Sequence, residues 1–328
     1  MSASVLVVGG AGYIGSHTCK ALARAGYRPV VFDDLSEGHR EAVRWGELIE
    51  GDIADRRALE DALERSGATA IVHFAARAYV GESVRDPAIY WRNNVVGTTN
   101  LADAAVAAGI EPIVFSSSCA TYGGPREGAE RIDEDAPQRP VSPYGRTKLA
   151  CEWLLKDYGA AGKLRPAILR YFNAAGADPD GEVGEAHRVE THLIPLAVLA
   201  AQGKAPPLRV FGTDYPTADG SAVRDYVHVE DLADAHVAAV RHLLEGGGSV
   251  EVNVGTGQGA SVLEVIDAVE RVGGKPVPRT MEGRREGDPP RLVADPARAE
   301  AVLGFRARWT ELDDIVRSAW AWHDRRAA

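Results

Sequence analysis

A chain of 328 residues, 45% hydrophobic and 26% charged, carries enough apolar material for one large core or two unequal domains, which excludes a disordered polypeptide. Its formal net charge of -10, from 47 acidic against 37 basic residues, excludes a protein built to coat a nucleic acid but allows a few arginines to converge on a diphosphate. No apolar run approaches the roughly 20 residues that cross a bilayer, and Met1 leads almost at once into Val5-Leu6-Val7-Val8 without a signal-peptide pattern, so a cytoplasmic protein without membrane contacts is expected.

The first half alternates short β-branched runs with helical patterns. Ser4–Val8, 29–33, 47–51, 70–74, 112–117 and Arg165–Tyr171 read as strands, apolar on both faces. Helical spacing follows the first at 16–25 and recurs in Leu59-Asp61-Ala62-Leu63 and Leu101-Ala104-Ala105-Ala108, with Gly67 and Gly109 where helices should stop. This alternation predicts an α/β chain, a Rossmann-like doubly wound parallel sheet covered by helices on each side. Beyond Asn173 the rhythm loosens into a loop rich in Asp, Gly and Glu that runs to Glu190. A helix is expected at 195–202, a strand at Leu208–Phe211, a polar turn at 214–220, a helix at 231–244, a strand at Val250–Val254 and a serine-capped helix at 261–272. The segments 276–279, 296–303 and 310–323 complete the chain. We expect residues 1–173 to be predominantly a nucleotide-binding domain and 174–328 a smaller C-terminal substrate-binding lobe, with some segments returning to the sheet. Cys19, Cys119 and Cys151 are odd in number and far apart, which argues for buried free thiols rather than disulfides or a cysteine metal site.

The first strand runs into Gly9-Gly10-Ala11-Gly12-Tyr13-Ile14-Gly15, the spacing G-x-x-G-x-x-G. Such a turn lets a pyrophosphate approach the amides of the following helix, and Gly15 allows that helix to pack on the strand. Asp33 closes the second strand, where a carboxylate can accept hydrogen bonds from an adenosine ribose. The paired charges of Asp33 and Asp34 would repel a ribose phosphate, so NAD is preferred to NADP. Asp52 and Ile53 follow the third strand and could meet the adenine by hydrogen bonding and packing.

Ser116-Ser117-Ser118 ends the strand at 112–117, at the sheet edge where open α/β proteins bind ligands. Further on, Ser142 and Pro143 suit the start of a helix, and Tyr144 and Lys148 stand four apart on one face of it. Oxidising a secondary alcohol needs a base for its proton and a nicotinamide for its hydride. A phenol with an ordinary pKa of about 10 is a poor base, so Lys148 and a nicotinamidium are expected to stabilise the Tyr144 phenolate. Ser118 would orient the same hydroxyl.

These residues resemble the extended short-chain dehydrogenase/reductases and, within them, the UDP-hexose 4-epimerase group. The similarity covers nearly the whole chain: Gly9 to Gly15, His73-Phe74-Ala75-Ala76, Asn93-Asn94-Val95-Val96-Gly97-Thr98, Ser116 to Gly123, Tyr144 to Lys148, Arg170 to Gly176, Asp214-Tyr215-Pro216-Thr217 and Val223 to Val229. The resemblance implies that Phe74, Ala75, Ala76 and Asn93 join the cofactor residues. It implies too that Asn173 contacts the substrate diphosphate region, Arg224 and Arg285 its phosphates, and Asp288 the uridine ribose. Phe211 would shape the uracil pocket, and Asn94, His192 and Leu193 would be pocket residues; no neighbour marks His192 as a metal ligand, and no metal is expected.

The implied reaction is reversible C4 epimerisation of UDP-glucose and UDP-galactose through a transient 4-keto sugar and enzyme-bound NADH, with NAD tightly held and a homodimer formed near the Tyr-Lys helix. Cys119-Ala120-Thr121 after Ser118 lacks the acidic pair of related dehydratases. Leu292, where an aromatic gate is common, leaves room for an N-acetyl group, so UDP-GlcNAc/UDP-GalNAc or a UDP-pentose stays open as substrate. Arg77-Ala78-Tyr79 lacks a lysine that some relatives place near the phosphates. A sugar-nucleotide reductase and a non-catalytic NAD-binding regulator are the remaining alternatives.

Overall fold

A computed structural model of the chain describes residues 2–126, 128–285 and 287–325. In chain order the first half forms β1 (Ser4–Val8), α1 (Tyr13–Arg24), β2 (Arg28–Asp33), β3 (Glu47–Glu50), α2 (Arg56–Ser66), β4 (Ala70–His73), α3 (Val80–Arg85) and α4 (Pro87–Tyr90). A π-helical turn (Trp91–Val96) leads into α5 (Gly97–Ala107), followed by β5 (Pro112–Ser118), α6 (Pro143–Ala160) and β6 (Arg165–Tyr171). The second half forms β7 (Asn173–Ala175), α7 (Leu193–Ala201), β8 (Leu208–Phe211), β9 (Val223–Arg224), β10 (Tyr226–His228), α8 (Val229–Leu244), β11 (Val250–Val254) and β12 (Ala260–Ser261). It ends with α9 (Val262–Gly273), β13 (Arg279–Glu282), β14 (Arg291–Leu292), α10 (Ala297–Leu303) and α11 (Leu312–Arg325).

Seven strands join in the order β11-β6-β5-β4-β1-β2-β3, all parallel. The reason lies in β1, where all five residues are buried but alternate in direction. Val5 and Val7 pack into one core with Leu22 of α1 and Leu232, Val240 and Leu243 of α8. Leu6 and Val8 pack into the opposite core with Leu59 and Leu63 of α2, Leu101 of α5 and Leu155 of α6. A strand apolar on both faces thus has a helical layer on each side.

The chain steps outward from β1 to β3 and then returns to β4 on the other side of β1. This reversal opens a crevice at the carboxyl ends of β1 and β4, the place where such sheets bind ligands. A third core gathers Ile194 and Val198 of α7, Val265, Ile266 and Val269 of α9, and Ile315 and Val316 of α11 beyond that edge. Short sheets stitch this region together: β7 with β10, β12 and β14 on either side of β9, and β8 with β13.

The strands at Ser4–Val8, Arg165–Tyr171, Leu208–Phe211 and Val250–Val254 match the sequence reading residue for residue. The first helix does not: it begins at Tyr13, three residues before the expected 16, because Gly12 serves as its N-cap and the glycines hide the helical pattern. Ser261 caps α9 with a full capping box to Glu264, as expected. Gly67 ends α2 in the left-handed conformation, at φ 54°. All three cysteines are buried and free.

Candidate active site

The glycine turn is built for a group that is not protein. Gly9 has φ +86°, and a side chain there would strike Ala75 N at 2.5 Å, since Phe74 N and Ala75 N both donate to Val8 O. A β-carbon on Gly15 would lie 2.2 Å from Gly9 O. These two glycines are therefore required by the chain's own packing. Gly12 differs, because its β-carbon would meet only Gly9 O at 3.4 Å. It stands at the bare N-terminus of α1, which has no side-chain cap and no acidic residue in its first turn. That combination fits a pyrophosphate.

Asp33 Oδ2 accepts from Ala11 N at 3.0 Å and Oδ1 from Leu35 N at 2.9 Å, so the carboxylate also holds the turn. Burial pushes Asp33 up, and those backbone donors pull it back. Asp34 is exposed and accepts from the Ser36 amide and hydroxyl. Asp52 accepts from Ala54 N, while buried Ile53 packs under Gly97. Asn93 donates to Asn94 Oδ1, which also receives Arg77 N.

The glycines give a separable pair of expectations. Gly15→Ala should cost about 1–3 kcal/mol of fold stability, since backbone must move to make room. Gly12→Ala should leave the unfolding midpoint of stripped protein unchanged yet cut retained dinucleotide about tenfold, which is about 1.4 kcal/mol of binding. Thermal unfolding and dinucleotide content measured side by side check both. Parental cofactor content in Gly12→Ala would overturn the cradle.

Ser118 ends β5 with its hydroxyl accepting from Ala120 N at 3.1 Å. Ser142 caps α6 by accepting from Gly145 N at 3.1 Å, and Pro143 occupies the first turn, so α6 starts one residue before Tyr144. Gly145 is obligatory there, as a β-carbon would sit 2.4 Å from Ala120 O. The close approach sets the start of α6 against the turn that follows Ser118. Tyr144 is buried, and that burial pushes its phenol well up, against the opposing pull of Ser118.

Lys148 is also buried, which pushes it down to about 8. Its Nζ donates to Ser116 O at 2.8 Å and lies 4.9 Å from the Phe115 ring centroid. Burial is the leading cause of the raised Tyr144 phenol.

On the far side of the crevice, Asn173 opens β7 and is held through Asn173 N to Asp225 O at 2.9 Å. Leu292 of β14 pairs in register with Arg224 of β9 and packs with Cys119, Tyr122 and Phe172. Arg224 Nη2 donates to Asp288 Oδ1 at 2.5 Å, an ion pair within the chain, and Nη1 donates to Val223 O. Arg285 lays its guanidinium 3.9 Å from the Phe211 ring centroid, a cation–π contact. The structure thus groups Arg224 with Asp288 and Leu292, and Arg285 with Phe211.

A model of the NAD dependent epimerase/dehydratase family matches residues 5–255. The chain belongs to this family. It is 57% identical over 323 residues to the UDP-glucose 4-epimerase of Rhizobium meliloti strain 1021, a match covering 98% of each protein. The solved UDP-glucose 4-epimerase of Brucella ovis in complex with NAD is 55% identical and superposes with a TM-score of 0.95 over 98% of each chain. The Bifidobacterium longum UDP-glucose 4-epimerase in complex with NAD+ and UDP is 36% identical, with a TM-score of 0.93 over 99% of each chain.

Within this member of the family two features escaped the sequence reading. Asn94 is buried in the π-helical turn, its amide donating to Arg77 O and to Thr147 Oγ1. It thereby ties the loop after β4 to α6, one residue before Lys148. A π-turn at a site is a recurrent device, but nothing in hydrophobic spacing announces it. The second is the setting of His192. We expected no metal ligand near it, yet Glu185, His187 and Glu190 surround it, with donor atoms all within 4.8 Å of one another. That expectation is corrected: the segment folds back on itself before α7, and His192 turns towards these groups, its Nδ1 meeting the Glu185 carboxylate. Leu193 follows as the first residue of α7, partly buried against the third core.

Proposed function

We propose that this chain is a UDP-glucose 4-epimerase, interconverting UDP-glucose and UDP-galactose with a tightly bound NAD. The observation that carries this reading is that α6, with Tyr144 and Lys148 on it, packs on β5, which Ser118 ends and to whose Ser116 O Lys148 donates, two strands from the dinucleotide turn, in a chain similar to such epimerases along almost its entire length. NAD, when bound, supplies the acceptor and later the donor of the C4 hydride, so none is consumed.

The protein's residues then have three tasks. Tyr144 takes the C4 hydroxyl proton and later returns one, with Ser118 orienting that hydroxyl. Lys148, held by Ser116 O and on the same helix as Tyr144, adds positive charge. Arg224, Arg285, Asp288, Asn173 and Phe211 grip the nucleotide and its diphosphate, for which planar guanidinium donors are suited. A firm hold on the nucleotide and a loose one on the sugar let the 4-keto sugar turn and present its other face. Inversion at C4 follows from that inequality.

A homodimer is part of the proposal. Trp153 on α6 is 58% exposed, and Trp91 and Val96 of the π-turn and Val80 and Val84 of α3 add exposed apolar surface beside it. Exposed large apolar side chains on neighbouring elements support an interface. We further propose a cytoplasmic location; among the described residues no helix is long and apolar enough to cross a membrane.

The test is incubation of purified protein with UDP-galactose, UDP-glucose or UDP-GlcNAc without added NAD, with products separated by chromatography. Interconversion of the first two with no cofactor added is expected. Stoichiometric consumption of added cofactor would instead identify a reductase, and bound cofactor without turnover a regulator. The UDP-GlcNAc arm tests whether Leu292 admits an N-acetyl group, and light scattering on the same preparation tests the dimer.

A further inference from the structure

The loop between β7 and α7 carries the spacing Glu185-x-His187-x-x-Glu190-x-His192, of which only His192 was expected among the pocket residues. Both imidazoles turn Nδ1 towards the same two carboxylates. His187 Nδ1 lies 3.0 Å from Glu185 Oε1 and 3.5 Å from Glu190 Oε2. His192 Nδ1 lies against Glu185 Oε1 and 3.7 Å from Glu190 Oε1. We propose that Glu185, His187, Glu190 and His192 form a binding site for one divalent transition-metal ion, zinc fitting best.

The spacing is the first argument. Zinc holds nitrogen at about 2.0–2.1 Å and oxygen at about 2.0–2.2 Å in a tetrahedron, which sets neighbouring donor atoms about 3.3–3.5 Å apart. The separations of 3.0, 3.5 and 3.7 Å straddle that range, while His192 Nδ1 and Glu185 Oε1 stand closer than it and would move apart to admit the ion. Two neutral imidazoles and two carboxylates also balance a divalent charge, and an N and O donor set suits zinc better than calcium or magnesium, which take oxygen shells.

The orientation of His187 adds to the spacing. Its Nδ1 is closed to solvent and faces both carboxylates at ion-pair distance, in a geometry that no well-aligned hydrogen bond fills. A nitrogen so placed is oriented to take a metal in place of a proton.

The surroundings hold the donors as a metal site requires. Thr191 N and His192 N donate to Glu190 Oε1 at 2.7 and 2.8 Å. Trp322 Nε1 donates to Glu185 O at 2.7 Å. The rings of Tyr13 and Tyr79 stand edge-on to His187, at 6.2 and 6.1 Å between centroids. Glu185 is 3% exposed in its side chain whereas His192 is 46% exposed, which leaves a path for the ion. Another acidic group, Asp178, Asp180 and Glu182, is different, because Lys20 Nζ lies 2.8 Å from each and fills it.

The consequence is structural. Tyr13 follows Gly12 and donates to Gly176 O at 2.6 Å, so an ion here would fasten the loop from 176 to 192 onto the start of α1. Its test does not depend on turnover. Full-length protein as purified is treated with a chelator, desalted and titrated with zinc against a chromophoric competitor, with metal counted by mass spectrometry and unfolding followed thermally. One zinc per chain and a raised unfolding midpoint are expected, and cobalt in its place should show the visible absorption of tetrahedral coordination. His187→Asn with His192→Asn should abolish both effects. Should that pair fold poorly, His192→Asn alone, at a half-exposed position, should weaken binding at least about tenfold. Less than one equivalent bound, or affinity unchanged in a folded variant, overturns the site.

Discussion

Tyr144→Phe should keep its cofactor and lose about 10³-fold in turnover, within the range that general acid–base groups contribute. The substitution removes one oxygen from a side chain that is 7% exposed, and it leaves the ring that packs between α6 and the end of β5. Fold and dinucleotide turn should therefore be untouched. The size of the loss follows from the environment of that oxygen. Burial pushes the phenol up, and Ser118 alone pulls the other way among its polar neighbours. Such a group is a base only when positive charge arrives beside it, which a bound nicotinamidium provides. Lys148, pushed down to about 8 by its own burial, still carries its charge at neutral pH. The check is dinucleotide content after denaturation together with UDP-galactose turnover. Turnover within about threefold of the parent would remove Tyr144 from the chemistry and leave the proposed reaction without its base.

How much of this was legible in the sequence depends on whether a residue's role is local. Gly12, Ser142, Pro143 and Ser261 act within a few positions of themselves, and the turn and caps they form were readable from spacing alone. The sheet was equally readable, since strands buried on both faces leave continuous apolar runs such as Val5 to Val8. Lys148 was legible as standing on one helix face with Tyr144, but its hydrogen bond to Ser116 O, a backbone atom 32 positions away, is marked by no side-chain pattern. The strands β9, β10, β12 and β14 span two or three residues and carry no periodicity at all. The Glu-His-Glu-His spacing before α7 was visible, but its meaning required seeing both Nδ1 atoms turn inward. Arg170 was noticed only as part of a run of similar residues, although it is the largest fully buried side chain among the described residues.

Arg170→Met should destabilise the fold by about 3–5 kcal/mol, the cost of stranding a buried charge by removing its partner. Arg170 lies in β6, and its side chain and that of Glu152 on α6 are 1% and 0% exposed. Arg170 Nη2 donates to Glu152 Oε2 at 2.7 Å and to Glu251 Oε2 at 2.5 Å, while Nη1 donates to Tyr122 OH at 3.0 Å. Ser117 Oγ donates to Glu152 Oε1 at 2.5 Å, so one carboxylate joins α6 to both β5 and β6. It sits one turn beyond Lys148, and the ion pair therefore sets where the helix bearing Tyr144 and Lys148 rests on the sheet. Without Arg170, Glu152 keeps only neutral donors among its hydrogen-bond partners, Ser117 and Gln138. Replacing Glu152 by methionine as well should recover most of the loss, because an apolar pair strands nothing. Urea unfolding of the parent, both single variants and the double variant measures the coupling, and additive losses would mean that the two side chains do not act as a pair.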